Sequence, residues 1–236
     1  MELIRGIHNL RARHHGCVLT IGNFDGVHRG HQALLARLKQ EGKRLGLPVM
    51  VMIFEPQPLE LFSADKAPAR LTRLRDKCHY LAEAGVDYLL CVRFNRDFAA
   101  NSAHDFVKKL LVEKLGVKYL MVGDDFRFGA GRQGDYELLK QAGEQFGFTV
   151  TNSDSFCEGN KRISSTAVRQ ALQEDKLELA ESLLGHPYSI SGRVVHGDEV
   201  GRTMGFPTAN LPLKRLVAPV KGVYAVDVYG LGPTPL

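Results

Sequence analysis

The chain has 236 residues, of which 44% are hydrophobic, and a formal net charge of +5. This length and composition support a buried core and exclude disorder as the overall description. The longest apolar run, Val49–Phe54, has six residues, whereas a membrane-spanning helix needs ~20. The N-terminus has no secretory apolar stretch, and the cysteines at 17, 78, 91 and 157 show no disulfide spacing. We therefore expect a cytoplasmic protein without membrane contact.

Short apolar runs alternate with amphipathic windows through the first 186 residues. This alternation predicts an α/β fold with a doubly wound parallel sheet. The predicted strands are Val18–Ile21, Val49–Phe54, Tyr88–Phe94, Tyr119–Val122 and Phe148–Thr151. The predicted helices are Gln32–Gly46, Leu71–Ala84, His104–Leu115, Tyr136–Phe146, Ser165–Gln173 and Lys176–Leu184.

The pattern changes after Gly185, where His186-Pro187 opens a segment of β character. Strands are predicted at Tyr188–Val195 and Val223–Tyr229. The sequence therefore predicts two domains, 1–186 and 187–236. The mild positive charge suits small anionic substrates, and no nucleic-acid-binding motif accompanies it. The oligomeric state cannot be inferred from these features.

A glycine- and histidine-rich stretch, Thr20–His31, follows the first predicted strand and opens the first helix. Gly22, Gly26 and Gly30 allow the backbone to approach a phosphate, and the free N–H groups of a helix start favour anions. His28 and His31, three residues apart, can then face the same phosphate. A glycine-rich turn with surface histidines is the alternative, and a zinc site would lack a third ligand nearby.

A second candidate phosphate-binding segment lies at a later predicted helix start. It contains Ser164, Ser165, Thr166 and Arg169, whose hydroxyl and guanidinium groups suit phosphate oxygens. An N-cap serine run with a solvent-facing arginine is the alternative. The run Gly129–Gly134 also fits G-x-G-x-x-G, but it follows an interior strand, so we interpret it as a flexible loop.

The run GNFDGVHRGH resembles the HxGH nucleotidylyltransferases, and within them the bacterial bifunctional riboflavin kinase/FMN adenylyltransferase (FAD synthetase) family. Ile163–Arg169 resembles the second phosphate-binding motif of that superfamily. Gly123–Gly129 resembles the loop between these motifs, and Phe54–Pro58 resembles the flavin-side loop. The resemblance extends from near residue 2 to the end of the chain.

The resemblance implies that an FMN phosphate oxygen attacks the α-phosphorus of ATP, giving FAD and pyrophosphate with Mg²⁺ present. Protein catalysis would then be positioning and charge stabilisation. The catalytic residues that it implies are His28, His31 and Arg169. The substrate-binding residues that the turn and the resemblance together indicate are Gly22, Asn23, Phe24, Asp25, Gly26, Gly30, Phe54, Pro56, Asp124, Asp125, Phe126, Ser164, Ser165 and Thr166. Ordinary core or loop packing is the alternative for Phe54, Pro56 and Phe126, and turn formation is the alternative for Asp124 and Asp125.

The segment Gly205–Asn210 resembles the riboflavin kinase half of the family, a small β-barrel that phosphorylates riboflavin. Thr208 and Asn210 would face MgATP, since neutral oxygens suit a hard cation. The family's glutamate base would follow Leu236, so we expect a partial all-β barrel and no kinase activity from this chain. Two alternatives are a nucleotidylyltransferase for another phosphorylated acceptor and a non-catalytic flavin or nucleotide carrier.

Overall fold

The structure is a computed structural model, and it describes residues 1–123, 125–153, 157–158, 161–197, 203, 205, 208–213, 215 and 217–230. Its strands are β1 Glu2–Arg5, β2 Cys17–Ile21, β3 Val49–Glu55, β4 Tyr88–Arg93, β5 Val117–Val122, β6 Thr149–Asn152, β7 Cys157–Glu158 and β8 Lys161–Arg162. Its α-helices are α1 Arg29–Leu45, α2 Pro58–Phe62, α3 Leu74–Glu83, α4 Arg96–Ala99, α5 Ala103–Asp105, α6 Tyr136–Phe146, α7 Ser165–Gln173 and α8 Leu177–Leu184. A π-helical segment, Phe106–Lys114, continues α5.

Six strands form one parallel sheet in the order β1-β4-β3-β2-β5-β6. Strand β2 lies between β3 and β5, with Val18 opposite Val49 on one side and Tyr119 on the other. All of β2 is buried, as a strand covered on both faces requires. The predicted doubly wound α/β sheet is confirmed. Strand β1, which was not predicted, extends it by pairing Glu2 with Tyr88.

Helices cover both faces of the sheet. Leu35 and Leu38 of α1 pack with Leu81 of α3 on one face. Leu111 of the π-helical segment and Leu139 of α6 pack on the other. Helices α7 and α8 form a third cluster with Leu71, in which Val168, Ala171, Leu172, Ala180 and Leu184 are buried.

The order of strands reverses at β2, because β3 follows it on one side and β5 lies on the other. Open α/β sheets bind ligands at the carboxyl ends of strands beside such a reversal. The fold therefore places the candidate site at the ends of β2 and β5.

Residues after 186 differ from the prediction. Among those that the structure describes, neither Tyr188–Val195 nor Val223–Tyr229 forms a strand. One isolated antiparallel bridge joins Val195 to Asn210. Val223 and Tyr229 are exposed, so neither side chain contributes to a barrel core in the described part. None of the helices in the described part has the length and apolarity to cross a membrane.

Candidate active site

A cleft of about 310 Å³ opens at the carboxyl ends of β2 and β5. The starts of α1 and α7 form its other walls. The residues that line it are Thr20, Ile21, Gly22, Phe24, His28, Gly30, His31, Ala33, Leu34, Arg37, Gly123, Ser153, Ile163, Ser164 and Ser165. The two predicted phosphate-binding segments, far apart in the sequence, thus meet in one cleft.

The turn between β2 and α1 has unusual backbone angles. Phe24 and Val27 have φ values of 48° and 41°, and Gly26 has a φ value of 82°. Only glycine adopts such angles at little cost, so the other two residues must be held by their surroundings. Gly22 and Phe24 line the cleft, whereas Asn23 is exposed to solvent.

The buried carboxylate of Asp25 links this turn to Leu71 and Thr72. Its carboxylate is 2% exposed and accepts hydrogen bonds from the backbone N–H groups of Leu71 and Thr72 at 3.0–3.1 Å. The Thr72 hydroxyl donates to it at 3.1 Å and receives the Gly26 N–H at 3.0 Å. Asp25 and Gly26 therefore face the protein interior, which favours a positioning role over the predicted contact with substrate.

Arg169 also binds the Asp25 carboxylate. Its Nη2 donates to Asp25 Oδ2 at 2.6 Å and its Nε donates to the Ala69 carbonyl at 2.6 Å. Arg169 does not line the cleft. Two of its donor groups hold the Asp25 carboxylate and the Ala69 carbonyl, and its contact with the leaving pyrophosphate stays a prediction.

His28 and His31 lie together at the start of α1. Their rings stack with centroids 3.7 Å apart, and the His31 backbone N–H donates to His28 Nδ1 at 3.4 Å. Because Nδ1 accepts this bond, His28 carries its proton on Nε2 when it is neutral. Burial, the neighbouring His28 and the Lys77 ammonium, in that order, hold the pKa of His31 well below its ordinary value.

Gly30 is needed for close packing at this point. A Cβ atom there would lie 3.1 Å from both His28 Nδ1 and the Ile163 carbonyl oxygen. Its φ is not positive, so the absence of a side chain matters here rather than the backbone angle. This glycine lets the histidine pair approach the segment that begins α7.

Two serines position the start of α7 beside the histidines. Ser164 Oγ accepts the Ala167 N–H at 3.2 Å and caps the helix, and Ser165 Oγ donates to the Asp25 carbonyl at 2.9 Å. Thr166 is exposed and does not line the cleft. The N-termini of α1 and α7 therefore converge on the cleft, where their free N–H groups favour an anion.

Two buried polar atoms in the cleft lining have no hydrogen-bond partner within the described part of the chain. They are Thr20 Oγ1 and His31 Nδ1. Buried polar groups are normally paired, so both indicate a ligand. Arg37, which was not singled out from the sequence, also lines the cleft. It follows Gly30 by seven residues, close to two helical turns, and this spacing was the available signal.

The predicted flavin-side residues lie at the end of β3. Phe54 packs against Phe94 and Phe98 at centroid distances of 5.5 and 5.8 Å, and Pro56 is exposed. None of these side chains lines the cleft at the histidines. They form an aromatic surface beside it, at the carboxyl end of the neighbouring strand.

Three more of the predicted site residues, Asp124, Asp125 and Phe126, belong to the segment after β5. Asp124 lies outside the described residues, Asp125 is exposed, and Phe126 stacks on Phe128 at 5.7 Å. Phe128 and Gly134 exchange two backbone hydrogen bonds of 2.9 and 3.0 Å. The run Gly129–Gly134 is thus a closed loop after an interior strand, as predicted, and its mobility stays untested.

Thr208 and Asn210 are both exposed. A Cβ at Gly197 would lie 2.4 Å from Asn210 Nδ2, so the amide packs directly on that backbone. Within the described residues, no group of three or more His, Cys, Asp or Glu side chains is placed to hold a metal ion. A metal role for this pair stays a prediction.

Comparisons with known proteins agree with these features. Residues 10–167 match the FAD synthetase family model, and residues 184–235 match the riboflavin kinase family model. The bifunctional riboflavin kinase/FMN adenylyltransferase of Escherichia coli K12 is 71% identical over 237 residues, covering 100% of this chain and 76% of that protein. The Haemophilus influenzae protein of the same name is 55% identical, covering 97% of this chain and 74% of that protein.

A solved structure has a similar fold. A crystal structure described as a macrolide-efflux protein from Streptococcus pneumoniae matches with a TM-score of 0.76 and 29% identity, covering 96% of this chain and 74% of that one. The identity and coverage of the sequence relatives, together with the paired histidines in the cleft, establish the family. The chain belongs to the bifunctional riboflavin kinase/FMN adenylyltransferase family.

Proposed function

We propose that this protein transfers AMP from ATP to the phosphate of FMN, giving FAD and pyrophosphate. The observation that carries the proposal is the stacked His28 and His31 pair between two helix N-termini in the cleft. A 71% identical relative bears the name of this activity. The helix starts and histidines in the cleft favour a phosphorylated substrate. The choice of FMN as the acceptor is supported by the name of that relative.

In this reaction an oxygen of the FMN phosphate attacks the α-phosphorus of ATP in line. The bond from that phosphorus to the bridging oxygen breaks, and pyrophosphate leaves with the electron pair. Protein catalysis consists of positioning both substrates and stabilising charge on the transferred and leaving oxygens. His28 Nε2–H and the N–H groups at the starts of α1 and α7 are the donors that the cleft supplies.

The remaining residues keep those donors in place. Ser165 ties the start of α7 to the turn through the Asp25 carbonyl, while Arg169 and Thr72 hold the Asp25 carboxylate. Arg37 contributes positive charge to the cleft wall, which suits the outer phosphates of ATP.

Mg²⁺ neutralises phosphate charge in such transfers when it is present. The described residues near the cleft offer no set of carboxylates for it. Asp25, the acid in the turn, has its oxygens filled by Leu71, Thr72 and Arg169.

Residues after 186 are proposed to belong to a riboflavin kinase domain, whose activity in the family is phosphorylation of riboflavin to FMN with ATP; turnover of riboflavin by this 236-residue chain is not expected. The observation that favours it is the match of residues 184–235 to the riboflavin kinase model. A boundary at 186–187 is supported by the end of α8 at the left-handed Gly185. Thr208 and Asn210 are the proposed MgATP contacts of this domain.

The purified 236-residue chain incubated with ATP, Mg²⁺ and FMN tests the first activity, with FAD and pyrophosphate measured together. Equal amounts of both products support the proposal. Pyrophosphate release only with another phosphorylated acceptor would identify a different nucleotidylyltransferase. FMN and ATP binding without turnover would identify a carrier. Replacing FMN with riboflavin and measuring FMN tests the kinase activity separately.

A further inference from the structure

The side chain of Gln32, near the start of α1, connects two segments that are far apart in the sequence. Its Nε2 donates to the Val27 carbonyl and to the Leu184 carbonyl, each at 2.9 Å. An amide nitrogen has two N–H donors, so these bonds use both. Leu184 is the last residue of α8, and a carbonyl there has no partner within its own helix. Gly185 leaves room for the amide, since a Cβ there would lie 3.2 Å from Gln32 Oε1.

The Val27 carbonyl belongs to the peptide unit that leads into His28. Val27 has a φ value of 41°, which a β-branched residue rarely adopts and which surrounding contacts must hold. A peptide unit is planar, so fixing the Val27 carbonyl also fixes the direction of the His28 N–H and the position of the His28 Cα. The bond from Gln32 therefore acts on the backbone that carries the imidazole.

The end of α8 contacts the same turn at two more points. The Leu184 side chain is 1% exposed, and a Cβ at Gly26 would lie 3.1 Å from its Cδ2. Just after the helix, His186 Nε2 lies 3.3 Å from the Gly26 carbonyl oxygen. The His186 ring also stacks on Tyr80 of α3, with centroids 4.0 Å apart. These contacts make the end of α8 a fixed support behind the turn.

We propose that Gln32 is a positioning residue for His28 and that the end of α8 is its support. The inference rests on the proposed adenylyl transfer, in which His28 acts on the phosphate oxygens. Val27, Gln32 and Leu184 do not line the cleft, so Gln32 acts through the backbone rather than on a substrate. Donors that stabilise developing charge must be in place beforehand, and a displacement of about 1 Å can cost about 100-fold in rate. Loss of the amide should therefore affect the transition state more than the binding of either substrate.

Gln32→Met tests the proposal, because methionine has a similar length and helix propensity but no N–H donor. Gln40→Met, at an exposed position of the same helix, is the matched control. For Gln32→Met we expect kcat to fall about tenfold, with KM for ATP and KM for FMN each changed less than about threefold. Gln40→Met should leave all three values unchanged. Circular dichroism at the assay temperature verifies that each variant is folded.

A double-mutant cycle with His28→Ala separates positioning from stability. If Gln32 acts through His28, adding Gln32→Met to His28→Ala should change kcat less than about twofold. A general loss of structure would lower kcat by the same factor in both backgrounds, and that result rejects the inference.

Other results also overturn the inference. A folded Gln32→Met protein with unchanged kcat, or with a larger rise in either KM than expected, rejects it. Gln32→Leu provides a second neutral variant without N–H donors. If neither variant folds, the amide serves only the fold. Failure of the wild-type chain to form FAD would reject the proposed function itself, which is a different result.

Discussion

His28 has two functions at the start of α1, because its Nδ1 caps the helix while its ring lines the cleft. His28→Ala should lower kcat about 10²-fold or more with a small change in KM, since the lost donor acts on charge that develops during transfer. Steady-state kinetics with FMN and ATP measure this.

His28→Asn separates the two functions. Asparagine is a good N-cap residue, so this variant should recover the stability that His28→Ala loses while kcat stays low. Recovery of kcat together with stability would show that the histidine acts only as a cap.

His31 should make stability depend on pH. Its folded-state pKa is lowered from the ordinary value of 6.5, so the unfolded chain takes up a proton that the folded chain does not. Stability from this group is complete above about pH 6.5 and falls as pH drops below it, by up to about 1.4 kcal/mol per pH unit. His31→Gln should therefore flatten the dependence of unfolding free energy on pH between 5 and 6.5.

Denaturant unfolding at several pH values measures this slope. His79→Gln is the control, since the His79 side chain is 68% exposed. Equal slopes for wild type and His31→Gln would contradict the prediction.

At the scale of elements, Ser164 both caps the start of α7 and lines the cleft. Ser164→Ala removes the hydroxyl that caps α7 and should cost about 1 kcal/mol of stability. It should also weaken ATP binding several-fold, because the freed N–H groups are no longer held towards the phosphates.

Ser102→Ala is the matched control, since Ser102 Oγ accepts the Asp105 N–H at 3.0 Å and caps α5 but does not line the cleft. Both variants should lose similar stability in thermal unfolding, and only Ser164→Ala should lose ATP affinity in calorimetry. Equal ATP binding by both would show that the cap is purely structural.

The elements that could be predicted are those whose pattern is local. Helix α6 and helix α7 have the predicted bounds, Tyr136–Phe146 and Ser165–Gln173, because each has a polar N-cap and an apolar stripe. Helix α1 starts at Arg29, three residues before the predicted start, since His28 acts as its cap and histidine is not a usual cap residue.

Site residues were predicted less completely than elements. The histidine motif and the serines are in the cleft, as their helix-start positions indicated. The Asp25–Arg169 pair joins residues 144 positions apart, and no local pattern shows that two charges will neutralise each other. The buried position of Lys77 was also missed, since lysine usually faces solvent.

At the scale of the molecule, two arginines connect the residues after 186 to the segment that holds Asp25. Arg215 donates to the Arg70 carbonyl and the Tyr188 hydroxyl at 2.9 and 2.8 Å. Arg73 donates to the Ser191 carbonyl at 2.8 Å and to the Leu213 carbonyl at 3.1 Å. The described residues after 186 are thus held beside Leu71 and Thr72.

Arg215→Met should release this anchor. We expect faster proteolytic cleavage after residue 186, because loss of these hydrogen bonds lowers the free energy of local opening. FAD formation should fall only modestly, since Leu71 and Thr72 keep their own bonds to Asp25. Lys221→Met, at an exposed position, is the control for limited proteolysis. Equal cleavage rates for both variants would contradict the prediction.

The turn that holds Phe24 and Val27 in the left-handed region has a consequence for the order of folding. Its support comes from Thr72, 47 residues later, and from Arg169, 144 residues later. Contacts between such distant residues form after local ones, because long loops must close first. The strands and α1 can therefore assemble before the turn reaches its final shape. We expect mutations at Asp25 to accelerate unfolding while leaving the folding rate nearly unchanged, as for contacts made after the rate-limiting step.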